Sequence, residues 1–392
     1  MSKSVNETNE MNLLIVAGEV SGDIYGALLA NACQKMVPGI KIFGVGGKRM
    51  EKAGVNLLFN SLSLSVVGIT EVLSKWGKIK EVFKKLKNFI YNSSLQAVVL
   101  IDYPGFNLRL AKVIKEKGIP LLYYVPPQVW AWGKRRVKKI GNLADKIAVI
   151  LPFEKEWYKE KGYEVEYVGH PLFEVLKNFK KMSLTRKKKE VTIGILPGSR
   201  QEEVKRILPV MLATAQLINK KRKVKFVLPL ADGIEKNLVE KEIKKWEVPV
   251  KIYSGNSHLI IQSSDFLLVS SGTATLEAAY FQTPMVIIYK LSLLSYIVAR
   301  ILVKVPWIGL VNLISGEEVV PEFIQREAKP EKIASQVENI LKDKDKIIRI
   351  KRKLSNVTNK LSCCDTSYKV AKIVLGLMKE EQNEFCWSKD VP

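Results

Sequence analysis

Short apolar runs alternate with helix-patterned stretches through the first half of the chain, and after a basic interruption the alternation begins again. This rhythm predicts parallel sheets covered by helices on both faces. Strands are predicted at 13–17, 40–45, 97–101, 121–125, 147–151 and 165–168, and helices at 24–36, 107–117 and 154–161. Gly118 reads as a helix stop, with Pro120 ahead of the next strand. Residues 177–189 carry Lys177, Lys180, Lys181, Arg186, Lys187, Lys188 and Lys189 without an acidic residue, which reads as a solvated linker. The pattern resumes with strands at 191–196, 225–228, 250–253, 266–269 and 285–289. An α/β chain with two facing Rossmann-like domains, 1–176 and 190–365, and a cleft between them is therefore expected; 392 residues suffice for two cores. The last segment, 366–392, holds a helix that either returns to the first domain or pairs with a second copy in a homodimer. Ligands of such sheets bind beyond the carboxyl ends of the strands, so side chains there carry the most weight.

The charge balance narrows the partners. With 63 basic and 39 acidic residues the net charge is +24, which fits either anionic partners or a lysine-rich solvated surface. A nucleic acid is not expected, because charge is its sole support and no RNA-recognition motif or zinc finger accompanies it. Cys33, Cys363, Cys364 and Cys386 form neither a disulfide framework nor a zinc spacing, and His170 and His258 are too few for a histidine-rich metal site. The polar residues 1–11 lack a signal-peptide core, which predicts a reducing cytoplasm. The most apolar stretch, 291–314, is interrupted by Arg300, Lys304 and Pro306, so a spanning helix is not expected.

Six constellations stand at predicted strand ends or on a helix. The strand 265–270 runs into Ser271, Gly272 and Thr273, whose small residues expose backbone N–H groups at a helix start, a site for phosphate. Glu277, about one turn further, is placed to accept hydrogen bonds from a ribose. In the turn 196–203, Ser199 and the forked guanidinium of Arg200 also suit phosphate. The turn 18–23 presents Glu19 to the cleft, while Asp23 is expected to cap the following helix; no G-x-G-x-x-G supports a dinucleotide. Asp102 ends a very apolar strand, where burial would favour a general base; the other reading is that it bonds its own turn. Gln128, Trp130 and Trp132, followed by Lys134, Arg135 and Arg136, read as a loop facing sugar or phosphate. Trp76, Ile79, Phe83, Leu86 and Ile90 form one apolar stripe on a helix that also carries Lys75, Lys78, Lys80, Lys84, Lys85 and Lys87. That stripe contacts either an anionic membrane surface or an ordinary core.

Taken in order, Gly18–Asp23, Ile101–Asn107, Pro127–Trp132, Gly169-His170-Pro171, Leu196–Arg200, Ser271–Glu277 and Val320-Pro321-Glu322 resemble the lipid-A-disaccharide synthase family, from about residue 12 to about 375. The resemblance implies the B-type glycosyltransferase fold (GT-B). It implies reaction of UDP-2,3-diacylglucosamine with 2,3-diacylglucosamine 1-phosphate (lipid X) to give a β-linked disaccharide phosphate and UDP, without metal or cofactor. It implies peripheral attachment to anionic lipid on the cytoplasmic face of the inner membrane. By the same resemblance Asp102 matches the candidate base and Glu19 a residue needed for activity. Glu277 matches the ribose ligand and Asn312 a position near the nucleotide. Gly105 stands where some members carry a second acid. An epimerase or peptidoglycan glycosyltransferase of the same fold fits less well, because the tryptophan loop and the 18–23 turn argue against both.

Overall fold

The computed structural model describes residues 11–60, 69–132, 134–177, 179, 190–231, 233–255, 257–292, 296, 305–361 and 365–387. The side chains of 69–76, 131–135 and 380–387 fall outside that description. The chain divides into two compact units: Met1–Pro171 with Cys363–Pro392, and Leu172–Ser362. Residues 172–176, expected in the first domain, thus belong to the second unit.

In the first unit β1 (Asn12–Ala17), β2 (Lys41–Gly46), β3 (Asn56–Asn60), β4 (Ala97–Ile101), β5 (Leu121–Tyr124), β6 (Lys146–Val149) and β7 (Glu166–Tyr167) pair in parallel. Their order is β3-β2-β1-β4-β5-β6-β7. The connecting helices are α1 (Val20–Met36), α2 (Lys48–Lys52), α3 (Ile69–Asn92), α4 (Pro104–Glu116), α5 (Val129–Trp132), α6 (Lys134–Leu143) and α7 (Pro152–Lys159). β4, β5 and residues 13–17 of β1 are apolar or aromatic and buried, as strands covered on both faces must be. The direction of winding reverses between β1 and β4, so the crevice beyond their carboxyl ends lies at a topological switch point.

Two expectations change here. Leu86 and Ile90 are fully buried in the core with Leu100, Phe106, Leu110 and Tyr123, and Ile79 and Phe83 pack against that core. Phe83 meets Phe106 edge-on, with ring centroids 5.6 Å apart. Leu86 is therefore core and not a membrane contact, while Ile79 and Phe83 are half-buried against the apolar cover of the sheet. Trp76 lies among the side chains outside the description. Asp23, too, does not cap its own helix. It sits inside α1 and accepts hydrogen bonds from the N–H groups of Gly47 (2.7 Å), Arg49 (3.1 Å) and Met50 (3.1 Å). Its carboxylate caps α2 instead, where the first N–H groups lack helical partners.

The second unit repeats the plan. Its helices are α8 (Leu172–Lys177), α9 (Gln201–Lys221), α10 (Lys236–Ile243), α11 (Ser257–Ser263), α12 (Thr273–Tyr280), α13 (Leu310–Ser315), α14 (Pro330–Lys342) and α15 (Lys344–Leu361). Its strands, again parallel, are β8 (Val191–Leu196), β9 (Val224–Leu230), β10 (Val250–Ser254), β11 (Phe266–Ser270), β12 (Met285–Tyr289) and β13 (Glu322–Ile324). The order β10-β9-β8-β11-β12-β13 puts the switch point between β8 and β11. The last helix, α16 (Thr366–Trp387), lies in the first unit, packed on α1 and reaching β4 and β5. Val370, Ala371, Val374 and Met378 are fully buried there. Among the described residues no helix is long and apolar enough to cross a membrane.

Candidate functional sites at the two switch points

At the second unit's switch point, β8 delivers the turn 197–200 and β11 delivers the turn 271–272. Gly272 has φ 154° and ψ −164°, a conformation that glycine alone adopts readily, and the space where a Cβ would stand is open. The chain thereby enters α12 with the N–H groups of Thr273 and Ala274 ahead of the first helical bonds, the Thr275 N–H being taken by the Gly272 carbonyl at 3.1 Å, and with the positive end of the helix dipole at this turn. Thr273 is exposed at this point. Ser271 donates its hydroxyl to the Ile308 carbonyl at 3.1 Å, so its side chain fixes the neighbouring loop.

Arg200 and Ser199 are exposed, and Arg200 is the residue that caps α9. Beneath them Glu203 turns back and accepts hydrogen bonds from the N–H groups of Ser199 and Arg200. A Cβ on Gly198, where φ is 120°, would come within 2.5 Å of Glu203 Oε2. Burial raises the pKa of Glu203, and the Arg200 charge opposes that rise. Glu277 Oε2 lies 3.1 Å from His258 Nδ1, a close contact without the alignment of a hydrogen bond, with both side chains mostly buried. The His258 ring tilts against Phe179 at 4.5 Å.

Asn312, expected near the nucleotide, is wholly buried and saturated within its own loop. Its Oδ1 accepts from Val319 N (2.8 Å) and Val320 N (3.1 Å), and its Nδ2 donates to Val320 O and Glu322 Oε1, both at 2.8 Å. An amide with both ends engaged has little left to offer a ligand. Glu322 also accepts from Ile308 N (2.9 Å) and Gly309 N (3.0 Å), so Asn312 and Glu322 together clamp the loop that receives the Ser271 hydroxyl.

In the first unit the switch point joins Gly18-Glu19 after β1 to Asp102-Tyr103 after β4. Asp102 (φ 49°) and Tyr103 (φ 48°) are consecutive left-handed residues, and Val125 (φ 55°) after β5 is a third. Such backbone costs on the order of 1–3 kcal/mol per residue and gathers at ligand sites. Three hydrogen bonds hold the turn: Asn107 Nδ2 donates to Ile101 O (3.1 Å) and Asp102 O (2.8 Å), and Tyr123 donates its hydroxyl to Asp102 O (3.0 Å). They anchor the Asp102 carbonyl and leave its half-buried carboxylate beyond the strand end.

The Tyr103 ring lies over Gly18, where a Cβ would stand 2.3 Å from Tyr103 Cγ, and stacks on Phe106 at 5.7 Å. Burial and then the Glu19 charge raise the pKa of Tyr103, so Glu19 and the Asp102 turn meet across this ring. In the next loop Gln128 is exposed, and Trp130 donates Nε1–H to Glu154 Oε1 at 2.9 Å. The side chains of Trp132 and Arg135 lie outside the described residues. His170 is buried against the Tyr25 ring, 6.2 Å away and perpendicular to it, and burial pulls its pKa down to about 3. Among the described residues no three His, Cys, Asp or Glu side chains stand together as metal ligands.

Sequence reasoning gave no role to Glu154, Glu203 or His258, and it read Glu322 only as part of a family motif. Glu154 and Glu203 each stand third in a helix, the position from which a glutamate reaches back to a capping N–H, and that signal was readable. The roles of His258 and Glu322 gave no local signal, because their partners come from distant segments.

The profile of the family described as lipid-A-disaccharide synthetase matches residues 13–374. A lipid-A-disaccharide synthase from Syntrophus aciditrophicus is 42% identical over 379 residues, covering 95% of this chain and 99% of that protein. One from Trichlorobacter lovleyi is 41% identical over 378 residues, covering 94% and 98%. Among solved structures, UDP-GlcNAc 2-epimerase from Neisseria meningitidis superposes with TM-score 0.65 at 13% identity, covering 93% of this chain and 100% of that one. MurG from Acinetobacter baumannii superposes with TM-score 0.53 at 11% identity, covering 93% and 99%. These distant likenesses establish the fold, two Rossmann-like domains of the GT-B type. A match that runs from the first strand into the last helix, with relatives of this identity along nearly their whole length, shows that the chain belongs to the lipid-A-disaccharide synthetase family, glycosyltransferases of lipid A biosynthesis.

Proposed function

We propose that the chain transfers 2,3-diacylglucosamine from UDP to the C6 hydroxyl of 2,3-diacylglucosamine 1-phosphate (lipid X), with inversion, giving a β-1,6-linked disaccharide 1-phosphate and UDP. The observation that carries this reading is the open N-terminus of α12 beside the exposed Arg200, both at the second unit's switch point. Asp102 takes the proton of the C6 hydroxyl as its oxygen attacks the anomeric carbon. The bond from that carbon to the UDP oxygen breaks, and negative charge builds on the departing diphosphate. The backbone N–H groups following Ser271 and Gly272, the Thr273 hydroxyl, Ser199 and the Arg200 guanidinium stabilise that charge. Glu277 accepts from the ribose hydroxyls, and Glu19 lies beside the acceptor or the reacting sugar. Gln128, Trp130, Trp132 and Arg135 bind on the acceptor side.

Both lipids carry acyl chains, and a net charge of +24 supports peripheral binding to the anionic cytoplasmic face of the inner membrane. Lys78, Lys80, Lys84, Lys85 and Lys87 are exposed on α3 and contribute to that attraction.

The direct test is UDP release from UDP-2,3-diacylglucosamine with and without lipid X. Release that requires lipid X and yields the disaccharide phosphate is expected. No release with both lipids present, or equal turnover of a UDP-sugar without acyl chains, would refute the assignment.

A further inference from the structure

We infer that Glu154 is a positioning residue for acceptor binding: its carboxylate holds the Trp130 indole, and with it the 126–132 loop, against the start of α7. The inference rests on the reading of that loop as the acceptor side.

Glu154 is only 2% exposed. Its Oε2 accepts from Leu151 N (2.9 Å) and Ile150 N (3.3 Å), which is the work of a helix cap. A cap of this kind needs one oxygen and functions well in water, so capping does not account for burying the whole group. The second oxygen, Oε1, accepts from Trp130 Nε1 at 2.9 Å. The Trp130 ring also stands edge-on to Phe153, with centroids 5.0 Å apart. One polar and one aromatic contact of this indole thus come from two adjacent residues at the start of α7.

The loop depends on such an anchor. It leaves β5 through Val125, a β-branched residue in left-handed conformation, and passes Pro126 and Pro127 before presenting Gln128 to solvent. α5 has four residues, far too few to persist as a helix unaided. Val129, 1% exposed, and Trp130 fasten it to the unit. Burial raises Glu154 to about 7, which marks how much solvation the carboxylate gives up for this arrangement.

The test compares wild type, Glu154→Gln, Trp130→Phe and the double variant in steady-state transfer from UDP-2,3-diacylglucosamine to lipid X. In Glu154→Gln the amide oxygen is needed to accept from the Leu151 N–H. That orientation turns the amide N–H toward the indole N–H, donor against donor, so the indole contact is lost. Glu154→Gln and Trp130→Phe should each raise the KM for lipid X about tenfold and leave the UDP-sugar KM within about twofold. In the Trp130→Phe background Glu154→Gln should add less than about twofold, because the two residues act through one bond. In 15N-tryptophan-labelled protein the indole signal absent from Trp130→Phe should shift in Glu154→Gln.

An unmoved indole signal, additive effects, or equal rises in both KM values would overturn the inference. If Glu154→Gln fails to fold, Trp130→Phe carries the test alone, and an unchanged lipid X KM in it is fatal. Wild-type turnover without these selective effects removes this inference only; absence of wild-type turnover removes the transfer reading and this inference together.

Discussion

Asp102 shows how much one residue's chemistry depends on main-chain geometry. Its left-handed conformation and three anchored hydrogen bonds set a carboxylate at the mouth of a switch point, in a different unit from the α12 N-terminus proposed to hold phosphate. Asp102→Asn should therefore lower kcat about 10²- to 10⁴-fold while isothermal titration finds UDP affinity within about twofold of wild type. A collapse of UDP affinity would remove Asp102 from the role of base. Glu154 yields a pH prediction. Burial raises it from 4.5 to about 7, so between those values the folded chain holds a proton that the unfolded chain has lost. Rising pH across that window thus removes stability, roughly 3 kcal/mol in all. Glu154→Gln lacks this loss, so its Tm relative to wild type should improve between about pH 5 and about pH 8; a constant difference would contradict the burial. Strand-end positions such as Glu19, Arg200 and Thr273 were legible, because an apolar run followed by small or polar residues fixes where a turn begins. Asp23 was not read correctly, and the loop-clamping role of Asn312 was not read at all. Their side chains suit a ligand or a loop equally, and the choice is made by backbone N–H groups from other segments.

For whole elements, the strength of the signal follows burial. β1, β4, β8 and β11 are buried over most or all of their length and were readable as apolar runs. β3 and β13 are half-exposed edge strands with mixed composition, and they escaped. The stripe of α3 was visible in its periodicity, yet spacing alone gives an apolar face without naming what covers it. The core claims it. Leu86→Ser should cost about 3 kcal/mol or more in urea denaturation, from lost packing and a buried hydroxyl. Lys84→Glu on the opposite, exposed face should change stability by no more than about 0.5 kcal/mol. A Leu86→Ser protein with wild-type stability and weakened vesicle binding would restore the membrane reading of the stripe.

In the molecule as a whole, the chain leaves the first unit after Pro171 and rejoins it at Cys363. The basic run at 177–189 pointed near the first crossing but not onto it, because charge marks solvated chain, whereas the division follows packing. The destination of α16 was illegible for a similar reason: an amphipathic helix announces a buried face, not its partner. Removing residues 363–392 should uncover the α1 face that α16 protects, leaving 1–362 with a lowered melting temperature and a tendency to aggregate. Residues 172–362 expressed alone should keep a cooperative melting transition, and a non-cooperative one would show that this unit needs the other. The same connectivity orders events on the ribosome. The inserted unit has all its strands and helices once Ser362 has emerged, but the unit begun at the N-terminus waits for α16, roughly 20 seconds after its own seventh strand at common rates of synthesis. During that interval the α1 surface is bare in the cell, a natural target for a chaperone and the stage at which a stalled or prematurely terminated chain is most exposed to proteases.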